Sequence, residues 1–77
     1  MPYKTNRDLP DSVKNHLPSA AQDIYREAFN HAHDEYKDKN KRRDPEESLE
    51  EISHKVAWSA VKKKYKKGED GNWHRQS

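Results

Sequence analysis

The sequence predicts an all-α fold, a small single domain with one short N-terminal helix and two long antiparallel helices, and three observations carry that prediction. Helix-start chemistry recurs at three places along the chain. The segments that follow carry apolar residues at helical spacing. The only two glycines, Gly68 and Gly71, fall after the last of those segments. The termini are expected to pack together as short extended segments.

Asp8-Leu9-Pro10-Asp11 offers an N-cap with proline in the first turn, and Val13 and Leu17 follow four apart before Pro18 stops the pattern. This places a short helix over 10–16. Ser19-Ala20-Ala21-Gln22 has the form of a capping box and opens a helix over 19–38. On a helical wheel Ala21, Ile24, Tyr25, Ala28, Phe29, Ala32 and Tyr36 fall within an arc of about 140°, a single buried stripe. Lys39-Asn40-Lys41-Arg42-Arg43 has no apolar residue and reads as a basic connector over 39–43.

Asp44-Pro45-Glu46-Glu47 joins an N-cap aspartate, proline at the first helical position and glutamate at the third, so the third helix is expected over 45–67, with Gly68 as its left-handed terminator. Acidic residues at its start and lysines at its end suit the helix dipole. Leu49, Ile52, Val56 and Ala60 form its core stripe, while Ala57, Trp58, Val61 and Tyr65 lie on an adjoining face. One partner helix cannot cover both. The first helix and the termini, with Tyr3 and Trp73, are expected to close over the Trp58 face, and the tail 68–77 is rich in turn formers.

Composition narrows the function. Of 77 residues, 29 % are hydrophobic and 39 % charged, and without alanine only 16 bulky apolar or aromatic side chains remain. A chain this short buries roughly 60 % of its unfolded surface, which leaves no room for a second domain or an enclosed cofactor site. The absence of cysteine removes disulfides, thiolate nucleophiles and zinc-ribbon patterns. The start carries no apolar run of a secretory signal, and no stretch approaches the roughly 20 apolar residues of a membrane span. A cytoplasmic protein, at most peripheral at a membrane, is expected.

Chemistry-bearing patterns are sparse. His31 and His33 point about 200° apart on a helix and cannot share an ion. Glu27, His31 and Glu35 share a face but form no metal motif, and no serine has a glycine-flanked elbow. Neither an enzyme nor a cofactor or metal site is expected. The net charge of +2 conceals segregation: +4 over 39–43, −5 over 44–51 and +6 over 52–67. Lys39, Lys41, Arg42 and Arg43, together with Trp58, Lys62, Lys63, Tyr65 and Lys66, are therefore the candidate partner-binding residues. They suit docking on a complementary protein or, as a second choice, contact with nucleic acid phosphates.

The chain resembles the small ChaB family of bacterial proteins over essentially its whole length. The resemblance rests on Pro2-Tyr3-Lys4-Thr5, Asp8-Leu9-Pro10, Val13-Lys14, Leu17-Pro18, Ala21-Gln22-Asp23-Ile24-Tyr25, Ala28-Phe29-Asn30, the run from His54 to Lys62 with Tyr65, and Trp73-His74. It implies a regulator of cation transport that acts on the cytosolic surface of a sodium or calcium/proton antiporter. It implies no set of functional residues. Relatives joined to nucleic-acid-associated modules supply the second choice.

Overall fold

The computed structural model describes residues 2–41 and 46–76. A 3-10 turn at Asn6–Asp8 precedes α1 (Asp11–Lys14) and α2 (Ser19–Tyr36). A second 3-10 turn, Lys39–Lys41, is followed by α3 (Leu49–Lys62), β1 (Tyr65–Lys67) and β2 (Trp73–Arg75). The two strands form an antiparallel hairpin in the register Tyr65↔Arg75, Lys66↔His74, Lys67↔Trp73.

The all-α expectation with two long antiparallel helices is overturned by this hairpin. The third helix ends at Lys62 rather than running to residue 67, and the extended segments pair residues 65–67 with the tail rather than the two termini with each other. The cause lies in the carbonyls that a helix end leaves without partners. Gln76 donates from its side-chain nitrogen to the carbonyls of Lys62 (3.2 Å) and Tyr65 (3.1 Å), and from its backbone to Lys64 (2.9 Å). The returning tail thus satisfies the last turn of α3 and replaces its continuation. β1 then buries Tyr65 and leaves Lys66 and Lys67 exposed, and only Lys62 remains in the last helical turn to meet the dipole.

Gly68 is not the left-handed terminator. Gly71 alone among the described residues has a positive φ, +83°. Gly68 is instead enclosed, since a Cβ there would lie 2.8 Å from Asp70 Oδ1 and from His74 Cδ2. Its N–H donates to the Asn72 carbonyl at 2.7 Å and closes the hairpin loop.

The other starts also shift. The N-cap of α3 is Ser48, whose hydroxyl accepts the Glu51 N–H at 3.1 Å, and Glu46 and Glu47 precede the helix in a turn. Asp44 and Pro45 lie outside the described residues. Ser19 is the first residue of α2 and Pro18 its cap, while Gln22 reaches back to the Leu17 carbonyl (2.8 Å) instead of completing a capping box.

The core is Leu9, Val13, Leu17, Ala21, Tyr25, Phe29, Ala57, Val61 and Tyr65. α2 packs on α3 so that Tyr25 meets Trp58 (ring centroids 5.1 Å apart) and Phe29 meets His54 (4.8 Å). The face of α3 turned inward is Ser53, Ala57 and Val61, each completely buried. The expected core stripe of Leu49, Ile52, Val56 and Ala60 stays half-exposed. The inward face is rotated by about one residue, roughly 100°, from that stripe. Ser53 is tolerated inside because its hydroxyl donates to the Leu49 carbonyl at 2.8 Å.

The N-terminus is tied to α2, not to the tail. Buried Asn30 accepts the Tyr3 N–H at 3.0 Å and donates to the Tyr3 carbonyl at 2.7 Å, and Tyr3 packs its ring on Phe29. Trp73 stacks on Trp58 instead, with centroids 5.2 Å apart.

Candidate functional site

A groove of about 680 Å³ opens where α3, the end of α1 and the hairpin converge. Helical spacing on α3 presents His54 and Trp58 on one line and Lys55, Ser59 and Lys62 on the next. Ser12 and His16 close it from the α1 side, and Lys67, Gly71 and Trp73 from the hairpin. Its floor is the stacked, half-buried pair Trp58 and Trp73. A backbone hydrogen bond from Trp73 N–H to the His16 carbonyl (2.9 Å) fixes the hairpin against the first helix and holds that floor in place.

The lining contains three lysines and two histidines but no carboxylate. Lys55 is held by Glu47 at 2.7 Å, which pushes its ammonium above the ordinary lysine value. Neither Lys62 nor Lys67 has a carboxylate partner among the described residues. Beneath the groove, the Tyr25 hydroxyl is hydrogen-bonded to His54 Nδ1. Burial, reinforced by nearby Tyr3, pushes that hydroxyl far up, so Tyr25 keeps its proton. On the hairpin, the Asn72 N–H and the His74 ring hold the Asp70 carboxyl below its usual range.

Of the residues singled out in the sequence, Trp58 and Lys62 line this groove. Lys63 and Lys66 are exposed but do not line it. Tyr65 is 6 % exposed and belongs to the core, where it offers no free surface. The backbone of Lys39 lies in the 3-10 turn Lys39–Lys41, Lys41 is exposed there, and Arg42 and Arg43 lie outside the described residues. His16, His54 and Lys67 are not among those candidates, and Trp73 was expected only as cover for the Trp58 face, where it stacks. Their clustering depends on the hairpin returning over α3, which helical periodicity does not report. The Trp73-His74 pair in a turn-rich tail was the available signal. Among the described residues no group of three His, Asp or Glu side chains gathers around one point, and no helix is long and apolar enough to cross a membrane.

The ChaB family model matches residues 9–76. The chain belongs to the ChaB family. Proteins from Escherichia coli K12 and Shigella flexneri, each named "Putative cation transport regulator ChaB", are 65 % identical to it over 77 residues, all of both chains. A solution structure determined by NMR for a protein of that name covers 99 % of this ChaB-family chain and 100 % of its own, with 64 % identity and a TM-score of 0.82. The matched span takes in all three α-helices and the hairpin of this ChaB-family protein, and with them every residue lining the groove.

Proposed function

We propose that this protein regulates cation transport without catalysis, by protein contact on the cytosolic surface of a sodium or calcium/proton antiporter. The observation that carries this reading is the groove, an aromatic floor flanked by lysines, in a chain whose full-length relatives are named for cation transport regulation. Tryptophan with a cationic rim is the composition of a docking surface, where a desolvated aromatic supplies affinity and surrounding charge supplies orientation. The protein works in the cytoplasm, peripherally at the inner membrane, and needs no cofactor.

The test is antiport in inverted membrane vesicles, read as the cation-driven collapse of a pH gradient with and without added purified protein. A saturable change in rate supports the reading, and an unchanged rate at saturating protein removes it. The exposed lysines Lys62, Lys63 and Lys66 favour one second reading, a nucleic-acid accessory module. That reading requires binding of DNA or RNA that weakens steeply between low and moderate salt through counterion release.

A further inference from the structure

We infer that the groove is the receptor for a short acidic segment of a partner protein, anchored by one large apolar side chain. The anchor rests on the Trp58–Trp73 floor, and flanking carboxylates meet Lys62 and Lys67. This rests on the protein-contact reading above and adds the chemistry of what is contacted.

The occupant must be anionic, because the lining holds lysines and histidines without a carboxylate, and the two lysines with no carboxylate partner among the described residues stand on different elements, Lys62 on α3 and Lys67 on β1. It must also carry an apolar body, because both tryptophans are half-buried against each other and present indole surface to the groove. Its anionic stretch must be short. Asp11, the neighbour of Ser12, has a side chain 86 % exposed, Asp70 beside Gly71 is 55 % exposed, and Glu47 already occupies Lys55. Carboxylates therefore bound the positive zone at α1, at the hairpin loop and at the start of α3. A long polyanion that followed the surface would run into them, whereas a few acidic residues around one anchor would not. The groove volume also falls within the roughly 300–1,000 Å³ of sites that enclose a compact ligand.

The experiment titrates the ¹⁵N-labelled full chain with a synthetic dodecapeptide of Glu, Asp and Ser bearing one central Leu, at physiological salt, and follows the indole N–H resonances of Trp58 and Trp73. Saturable shifts of both are expected. Replacing the peptide's Leu with Ser, or the protein's residues with K62Q and K67Q together, should each weaken binding by about tenfold or more. The K63Q and K66Q pair, outside the groove, should leave affinity unchanged, and the backbone spectrum of each variant reports whether it remains folded. Absence of shifts at millimolar peptide overturns the inference, as does equal affinity for the Leu-less peptide. Tighter binding of a thymidine oligonucleotide of the same length, with the same indole shifts, overturns it in favour of single-stranded nucleic acid. Peptide binding with an unaltered antiport rate would refute the antiporter reading alone, and a rate response without peptide binding would refute the groove assignment alone.

Discussion

On one flank of α3, Trp58 lies against Tyr25 and Trp73, and on the other Leu49, Ile52, Val56 and Ala60 remain half-exposed. Hydropathy alone would have buried the aliphatic flank first. Between the two runs the completely buried line Ser53, Ala57 and Val61, two of whose three members are small. Small residues let α2 and α3 approach closely, and the large rings of Tyr25 and Phe29 fill the space beside them. Burial here follows the line of closest backbone approach. The aromatic flank gained its cover from elements distant in sequence, whereas the aliphatic residues stay outside the buried cluster.

The severest break is expected from Tyr25→Ala, which empties the centre of the aromatic flank and leaves His54 without its hydroxyl partner. It should cost about 3–5 kcal/mol in urea unfolding, enough to approach the whole stability of a chain this size. A paired substitution sharpens the contrast. Ala57→Leu overfills the closest approach and should cost about 1–3 kcal/mol, while Val56→Ala, one residue away on the aliphatic flank, should cost about 1 kcal/mol or less. If thermal unfolding ranks that pair the other way, α3 does not pack as described.

The smallest effect is electrostatic. The Asp70 carboxyl is held below its usual range by the Asn72 N–H and the His74 ring. A depressed value in the folded state means that its contribution is complete above the unfolded value of about 3.9 and disappears as pH falls through the folded value. Below about pH 4 the wild-type Tm should therefore fall slightly more steeply than that of D70N, and at neutral pH the two curves should run parallel.

Much of the local structure was legible. The wheel of α2 identified Ala21, Tyr25, Phe29 and Ala32, all buried, and the apolar pair Val13 and Leu17 ahead of it is buried as well. On α3 both faces were visible, but their ranking was reversed, because Ser53 counts as polar in a pattern and yet satisfies its own hydroxyl within the helix. Asn30 escaped notice for the same reason, since its buried amide is matched to the Tyr3 backbone, a partner 27 residues away. The hairpin was illegible to helical periodicity. Lysines 62–64 are good helix formers, and what ends the helix is Gln76 returning from the tail to its carbonyls. The candidate site inherited that gap, because the α3 half of the groove was found as Trp58 and Lys62 and the hairpin half depends on tertiary pairing.

The stacked tryptophans have an optical consequence. Two indoles 5.2 Å apart with planes inclined by 30° lie close enough for their electronic transitions to mix, which splits an absorption band into a pair of oppositely signed circular-dichroism lobes. One ring belongs to α3 and the other to the hairpin, and the chain has no other tryptophan. The couplet is thus a built-in, label-free gauge of whether the hairpin is seated on the helix. It should vanish when the hairpin lifts, even while the helical signal persists.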